Sequence, residues 1–346
     1  MTNQPVQKII FGSPGTGKSH MVKAEILPSL GIDEDKSPEN VIKAVFHPEY
    51  TYGDFMGKLL PITRAGQVEY NFYEGHFLKA LSQAYKNIIN FNLKSDGLEQ
   101  PENVVLVIDE INRGNSSAIF GSVFQLLDRD GDGWSSYDTS INGVAFFRLL
   151  ELIGFTFSYD KNQEIDEYKL KGFDSAKKLE TFQPKLAYLN FDLVNKTIKI
   201  PPNLHIIATM NTSDNSIYHM DTAFKRRWEW QFIDVNSNLI SEQGIAFKSE
   251  REWVAFIIKL NEFIKSNNNY IRGIEDKQIG KYFIKTQDGK IEYAVIQSKL
   301  MFFIWDSVFN RDKKPLADLL GVSKDELVTF GDFALKIKEF IKAIQG

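Results

Sequence analysis

Apolar and polar positions along the first two thirds of the chain alternate with two different periods. Short apolar runs typical of buried strands lie at residues 8–11, 40–46, 104–108 and 204–209. Stretches with helical spacing lie between them, at residues 19–27, 75–91 and 116–127. Strands that alternate with crossover helices build a parallel sheet. We therefore predict an α/β domain over residues 1–235.

Two stretches interrupt this alternation. Between residues 47 and 73, aromatic residues, glycines and Pro61 indicate an irregular or hairpin segment after a strand. Residues 130–199 are too many for a plain loop, and we predict a hairpin-bearing insertion there. Within residues 134–190 the basic and acidic residues are nearly balanced, so charge gives no reason to assign DNA binding. Contact with a partner subunit and a surface addition that stabilises the fold explain this insertion equally well.

The pattern changes after residue 238, where we expect the strands to stop. Ser249 and Glu252 form a capping box that begins a helix. Its apolar face contains Trp253, Phe256, Ile257, Leu260, Phe263 and Ile264. A hairpin near residues 284–295, turning at Asp288-Gly289, and helices around residues 298–309 and 332–344 follow. Residues 236–346 are thus predicted to form a smaller, mainly helical domain.

Composition narrows the classes of protein. With 346 residues, 43% of them hydrophobic and 25% charged, the chain can bury a large core, which excludes disorder and fibres. With a formal charge of −4, the chain lacks the overall excess of basic residues typical of a protein that coats nucleic acid. The absence of cysteine excludes disulfides, cysteine-ligated metals and thiol nucleophiles. Without an apolar stretch near the roughly 18 residues of a membrane span, we expect a soluble, cytoplasmic protein and no membrane partner.

The first chemical motif follows the first predicted strand. Gly12-Ser-Pro-Gly-Thr-Gly-Lys18-Ser19 matches G-x-x-x-x-G-K-[ST] between a strand and a helix, which is the context that this motif requires. Its backbone N–H groups surround phosphates, the lysine contributes a point charge, and the serine hydroxyl binds Mg²⁺. The predicted nucleotide-binding residues are Gly12, Ser13, Pro14, Gly15, Thr16, Gly17, Lys18, Ser19 and His20.

The second motif is a pair of carboxylates. The apolar run at residues 104–108 ends in Asp109 and Glu110, at the sheet edge where α/β proteins bind ligands. We predict that Asp109 and Ser19 hold Mg²⁺ and that Glu110 polarises the attacking water. Such a pair indicates NTP hydrolysis. The structural alternative is a helix cap with acidic first-turn residues.

Two polar clusters complete the candidate chemistry. The run at residues 204–209 leads into Met210-Asn211, and the Asn211 amide can orient the lytic water beside Glu110. Arg226 and Arg227 follow next to aromatic residues, where they could reach the γ-phosphate bound by a neighbouring subunit. A solvated basic helix end is the alternative for the arginines.

Together these segments resemble an AAA+ ATPase-type module with a sensor asparagine and a trans arginine finger. In detail, the sequences of these motifs are similar to those of the McrB family, the motor subunit of McrBC-type modification-dependent restriction systems. The sequences that carry this resemblance are Phe46-His-Pro-Glu-Tyr-Thr-Tyr-Gly-Asp54-Phe, Tyr73-Glu-Gly75-His-Phe77, Ile108-Asp-Glu-Ile-Asn-Arg113-Gly-Asn115 and Thr209-Met-Asn-Thr-Ser-Asp214-Asn-Ser-Ile217. Arg113 and Asp214, within these motifs, join Glu110, Asn211, Arg226 and Arg227 as predicted catalytic residues.

The resemblance implies a P-loop AAA+ αβα domain with a helical C-terminal lid, a hexameric ring, GTP with Mg²⁺, and an McrC-like endonuclease partner. No nuclease carboxylate cluster is visible, so DNA cleavage belongs to that partner. Guanine recognition by Asn-Lys-x-Asp is absent, because Asn195-Lys196 is followed by Thr-Ile, and GTP versus ATP stays open at the level of residues. An ATP-dependent MoxR-like chaperone is the alternative, although MoxR proteins typically carry Gln-Asn-Pro where this chain has Met210-Asn-Thr212. A nucleotide-gated scaffold that positions a nuclease is the third hypothesis.

Three departures from the family qualify this picture. McrB proteins commonly carry an N-terminal domain that reads modified DNA, whereas 11 residues precede Gly12 here, so DNA contact is expected through the partner or a missing domain. The insertion at residues 134–190 is longer than the family leads us to expect. The segment from Ile279 to Phe283 is one residue shorter than the family's sensor II-like segment, which leaves Lys281 as a sensor candidate.

Overall fold

A computed structural model describes residues 4–64, 66–93, 100–172, 175–211, 218, 220–235, 242–284 and 289–346. Its strands are β1 (Gln7–Gly12), β2 (Val41–Val45), β3 (Gly57–Arg64), β4 (Gln67–Glu74), β5 (Val104–Asp109), β6 (Thr139–Ser140), β7 (Phe155–Tyr159), β8 (Ile165–Leu170), β9 (Thr197–Ile198), β10 (Leu204–Asn211), β11 (Glu229–Ile233), β12 (Ile245–Phe247) and β13 (Ile291–Glu292).

The α-helices are α1 (Lys18–Met21), α2 (Leu27–Ser29), α3 (Tyr52–Met56), α4 (His76–Leu93), α5 (Ser116–Phe120), α6 (Gly143–Leu152), α7 (Leu179–Phe182), α8 (Thr222–Lys225), α9 (Glu250–Ser266), α10 (Tyr293–Val295), α11 (Lys314–Leu320), α12 (Phe330–Ala334) and α13 (Ile337–Gln345). Segments of 3₁₀-helix are Pro38–Asn40, Ile111–Arg113, Gly121–Leu127, Gln183–Leu189, Asn268–Tyr270, Ile274–Lys277, Lys281–Phe283 and Lys324–Glu326. Segments of π-helix are Val22–Ile26, Ile296–Met301 and Ile304–Val308.

Five parallel strands form the main sheet, in the order β11-β1-β10-β5-β2. The predicted α/β class with a parallel sheet is therefore confirmed, and the four predicted apolar runs correspond to β1, β2, β5 and β10. The hydrophobic pattern did not predict β11. This strand lies at the edge of the sheet, so only Trp230 and Ile233 of its five residues are buried, and it lacks the continuous apolar run of an inner strand.

By contacts the chain divides into two units, and the first comprises the described residues of 1–7, 19–210 and 214–220. Here β5 pairs in parallel with both β10 and β2, and Ile108 lies opposite Ala208 while Asp109 lies opposite Val45. Every residue of β10 is buried. The hairpin expected between residues 47 and 73 is confirmed as β3 and β4, a two-stranded sheet in which Pro61 lies opposite Tyr70.

The insertion in this unit contains the predicted hairpin, formed by β7 and β8. A buried arginine joins its two ends. The Arg129 guanidinium donates hydrogen bonds to the carbonyl oxygens of Gly133 (2.9 Å), Ile200 (2.9 Å), Pro201 (3.2 Å) and Leu204 (3.0 Å). Because Arg129 directly precedes the insertion and the carbonyls of Ile200, Pro201 and Leu204 follow it, one side chain holds both ends of the insertion in place.

A buried histidine lies next to this arginine. The Nδ1 atom of His205 accepts a hydrogen bond from the backbone N–H of Val6, at 2.9 Å. Burial and, to a lesser extent, the positive charge of Arg129 together lower the pKa of His205 to about 4. The imidazole is therefore neutral at pH 7, which its role as an acceptor requires.

The second unit comprises the described residues of 8–18, 211–213 and 221–346. Here β1 pairs in parallel with β11, and Phe11 lies opposite Phe232. The fully buried Phe11 ring also contacts the rings of Trp230, Phe302 and Phe330, with ring centroids 4.2 to 5.6 Å apart. This aromatic cluster joins the strand before the glycine-rich loop to the C-terminal helices.

The C-terminal helices agree with the sequence pattern in part. Helix α9 begins where predicted, and the Ser249 hydroxyl accepts a hydrogen bond from the backbone N–H of Glu252. The Glu252 carboxylate, however, accepts from the backbone N–H of Lys248 and not from that of Ser249. Five of its six predicted core residues are buried, and Phe263 is half-buried. The single helix predicted at residues 332–344 is wrong, because α12 ends at Ala334 and α13 begins at Ile337.

Strands also continue past residue 238, contrary to expectation. Strand β12 pairs with β13, with Ile291 opposite Phe247, and β13 lies in the stretch where the sequence predicts a hairpin turning at Asp288-Gly289. Asp288 of that turn lies outside the described residues. Within the described part of the chain, no helix combines the length and apolar character needed to cross a membrane.

Candidate functional site

The glycine-rich loop at residues 12–18 belongs to the second unit and connects β1 to α1. Gly12 is required by a close approach, because a Cβ atom there would lie 2.3 Å from the carbonyl oxygen of Ile233. Gly17 has φ +84°, which a residue with a side chain rarely adopts. The loop therefore needs glycine at both positions, at Gly12 because of the nearby Ile233 carbonyl and at Gly17 because of its own backbone conformation.

The loop binds its own lysine. The Nζ atom of Lys18 donates to the carbonyl oxygens of Gly12 (3.2 Å) and Ser13 (2.8 Å), and the Thr16 hydroxyl donates to Ser13 at 3.0 Å. Lys18 and Thr16 are buried, whereas Pro14, Gly15, Gly17, Ser19 and His20 are exposed. The Lys18 ammonium group is therefore held beneath the loop, and the outer residues of the loop are exposed to solvent.

The two predicted carboxylates lie in the first unit, at the carboxyl end of β5. One threonine hydroxyl contacts both residues. The Oγ1 atom of Thr209 donates to Oδ1 of Asp109 at 2.8 Å and accepts from the N–H of Glu110 at 3.3 Å. Thr209 is 3% exposed, so this arrangement is shielded from water. The hydrophobic pattern gave Thr209 no predicted role, and its only signal in the sequence is a hydroxyl within an apolar run.

Glu110 has an unusual backbone conformation. Its φ of 55° and ψ of 46° are left-handed, a region that non-glycine residues occupy at a cost of about 1–3 kcal/mol. Its carboxylate lies 3.7 Å from Nε of Arg113, which the 3₁₀-helix Ile111–Arg113 places one turn later. The structure thus brings Asp109, Glu110 and Arg113 together, as the sequence motif does.

The remaining predicted residues that the structure describes belong to the second unit. Asn211 ends β10 in the second unit and is buried. Arg226 is exposed, and Nη1 of Arg227 donates to the carbonyl oxygen of Ala223 at 2.8 Å. Asp214 lies outside the described residues.

The donors predicted for Mg²⁺ have the right chemistry. Mg²⁺ prefers hard oxygen ligands and is often bound by one or two protein groups plus substrate phosphates. The Asp109 carboxylate and the exposed Ser19 hydroxyl, both in the first unit, fit that requirement. No group of three or more metal-binding side chains occurs among the described residues, so an all-protein cage is not formed there.

A cavity of about 500 Å³ lies elsewhere in the first unit, beyond the end of β2. Its polar side chains are largely paired with one another. Tyr50 and Nδ1 of His76 are 2.7 Å apart, and Asp54 accepts from Lys58 at 2.6 Å. Burial lowers the pKa of His76 and raises that of Tyr50. These contacts stabilise the cavity wall, and we assign no ligand to it.

The parallel sheet defines an α/β protein, and the glycine-rich loop after β1 is consistent with a P-loop domain. Comparison with known proteins goes further. The chain is 27% identical over 343 residues to the type II restriction enzyme BsuMI component YdiS of Bacillus subtilis, covering 92% of this chain and 83% of YdiS. It is 26% identical over 262 residues to the type IV methyl-directed restriction enzyme EcoKMcrB subunit of Escherichia coli, covering 73% of this chain and 41% of that subunit.

The chain is therefore homologous to the McrB subunit and to YdiS over most of its length, which confirms the resemblance to McrB. No protein-family model matches the chain.

Proposed function

We propose that this chain is the NTP-hydrolysing motor subunit of an McrB-like, modification-dependent restriction system. The glycine-rich loop with its buried lysine supports nucleotide binding. The homology to two restriction components supports the biological setting. GTP is the proposed substrate, in an AAA+ module that forms a hexameric ring.

The observation that carries hydrolysis is the arrangement at the end of β5. Thr209 holds the Asp109 carboxylate and the backbone N–H of Glu110 by hydrogen bonds. The left-handed backbone conformation of Glu110 sets the direction in which its side chain leaves the backbone. A chain that only binds nucleotide has no need for a strained second carboxylate after the first. This arrangement supports a general base that orients water.

Each of the candidate functional groups has a separate proposed role. Backbone N–H groups of the loop and the Lys18 ammonium bind the phosphates, and Glu110 with Asn211 orients the lytic water. Bound Mg²⁺, held by Ser19 and Asp109, would neutralise charge on the phosphate oxygens. Arg226 and Arg227 act on the nucleotide bound by a neighbouring subunit, where they stabilise the negative charge of the transferred phosphoryl group.

The deciding experiment measures steady-state hydrolysis of GTP and ATP side by side with Mg²⁺. We expect GTP turnover that Glu110→Gln abolishes, while the exposed Glu39→Gln, the same chemical change outside the motif, leaves it intact. If excess ATP suppresses GTP hydrolysis and is turned over faster, the GTP assignment is wrong. Folded protein that hydrolyses neither nucleotide contradicts the motor proposal itself.

An McrC-like endonuclease is the proposed partner, because the restriction activity of such a system needs a subunit that cuts DNA. Adding the McrC-like subunit of the same restriction system should raise nucleotide turnover and the particle mass. A subunit that neither binds nor changes the rate with nucleotide present would leave only a generic P-loop NTPase.

A further inference from the structure

The three consecutive basic residues at the end of α8 have different surroundings. Lys225 is only 6% exposed, whereas Arg226 is exposed and Arg227 is half-buried. A solvated basic helix end would expose all three side chains. The inward position of Lys225 therefore needs its own explanation.

The Lys225 side chain contacts the C-terminal helices of the same unit. Its Nζ atom forms an ion pair with Oδ2 of Asp306 and a hydrogen bond of 2.9 Å to the Ser307 hydroxyl. Asp306 and Ser307 belong to the π-helix Ile304–Val308. The Lys225 carbonyl oxygen accepts from Nε1 of Trp230, at 3.1 Å, which fixes the backbone on the other side.

A second contact fixes the next residue. The Nζ atom of Lys299, in the π-helix Ile296–Met301, donates to the carbonyl oxygen of Arg226 at 2.7 Å. The turn that carries both arginines is thus held at two consecutive residues by two consecutive π-helices. The Arg226 side chain, in contrast, is exposed to solvent.

We infer that Lys225 is a positioning residue: its ion pair with Asp306 sets where Arg226 and Arg227 project and transmits movement of the helical segment 296–308 to them. This inference rests on the proposed function, in which the arginines reach a neighbouring subunit's nucleotide. The coupling is physically effective because a misplacement of about 1 Å can cost 10²-fold in rate. The helical segment 296–308 then influences transition-state stabilisation through the positions of the two arginines.

The first test is a double-mutant cycle on hydrolysis. Lys225→Met removes the charge and keeps the stem, and Asp306→Asn is a milder second variant on a partly exposed residue. We expect kcat to fall at least tenfold with KM changed less than twofold. In an Arg226→Ala/Arg227→Ala background, Lys225→Met should lower kcat no further, because it acts only through the arginines.

A matched control is the exposed ion pair of Lys324 and Asp312, 2.9 Å apart in the same unit. Lys324→Met makes the same chemical change and should leave kcat within twofold of wild type. The inference is overturned if Lys225→Met and Asp306→Asn leave kcat unchanged, or if Lys225→Met lowers kcat equally with and without the arginines.

The second test does not depend on activity. Trypsin cleaves after arginine, so release of the turn should raise the rate of cleavage after Arg226 and Arg227 at least fivefold in Lys225→Met and not in Lys324→Met. An unchanged cleavage rate overturns the inference whatever hydrolysis shows. Wild-type protein that hydrolyses neither nucleotide overturns the proposed function, and the cleavage rates then decide separately whether Lys225 holds the turn.

Discussion

Lys18 and Glu110 are expected to fail in different ways when they are replaced. Lys18 is proposed to contact the bound nucleotide, so Lys18→Ala should abolish binding of a fluorescent GTP analogue. Glu110 acts on the water, so Glu110→Gln should bind the analogue normally and lose hydrolysis by at least 10²-fold. Equilibrium titration and steady-state turnover separate the two phenotypes, and unimpaired turnover by Glu110→Gln would contradict the role given to this carboxylate.

His205 makes the stability of the first unit depend on pH. An unfolded histidine binds a proton below about pH 6.5, whereas burial keeps native His205 neutral until its pKa of about 4. Between these values the unfolded state binds more protons, so the free energy of unfolding falls as the pH is lowered, by at most about 1.4 kcal/mol per pH unit. Denaturant titrations between pH 4 and 7 measure this slope.

The control is His205→Asn, which retains an acceptor for the Val6 N–H but cannot be protonated. The difference between wild type and this variant isolates the histidine from the carboxylates that also titrate in this range. Parallel slopes for the two proteins would show that His205 does not carry the pH dependence.

Among the secondary-structure elements, β1 depends most on a single side chain. Phe11 is fully buried among four aromatic rings, so Phe11→Ala should lower the free energy of unfolding by about 3–5 kcal/mol. Because β1 leads into the glycine-rich loop, nucleotide affinity should fall with it. The exposed Leu335→Ala serves as control, with a change below about 0.5 kcal/mol. Denaturant unfolding gives both values, and equal effects would exclude a special role for the aromatic cluster.

The elements that the sequence predicts well are those with a strong local signal. Inner strands such as β5 and β10 are continuous apolar runs, and helix α9 carries a cap and one apolar face. Edge strand β11 and the break between α12 and α13 depend on tertiary packing. The period of the hydrophobic pattern does not reveal that packing. The role of Thr209 was missed for the same reason, because its partners Asp109 and Glu110 are 100 and 99 residues away.

For the whole molecule, the proposed ring requires that the arginines act between subunits. Arg227→Ala should lower kcat by about 10³-fold, as loss of an arginine finger does. Mixing Arg227→Ala with Lys18→Ala subunits should restore part of the activity, since each supplies what the other lacks. Turnover measured across mixing ratios, with mixed particles confirmed by mass, tests this, and no rescue at any ratio would favour a role within one subunit.

At the same scale, chain order is a poor guide to which residues pack together. Residues 8–18 stand at the start of the chain, yet they group with residues 221–346 because Phe11 contacts rings from the C-terminal helices. Composition and period describe neighbours along the chain and carry no information about such distant contacts. The predicted division into residues 1–235 and 236–346 stays a prediction.

The hairpin of β3 and β4 has a consequence for how molecules behave in concentrated solution. Leu59, Val68 and Tyr70 are exposed on this two-stranded sheet, and a ribbon of that kind invites strands of other molecules to add to its edge. Pro61, in the middle of β3, has no N–H to offer such a strand. A proline that looks like a defect in the strand therefore acts as protection against aggregation.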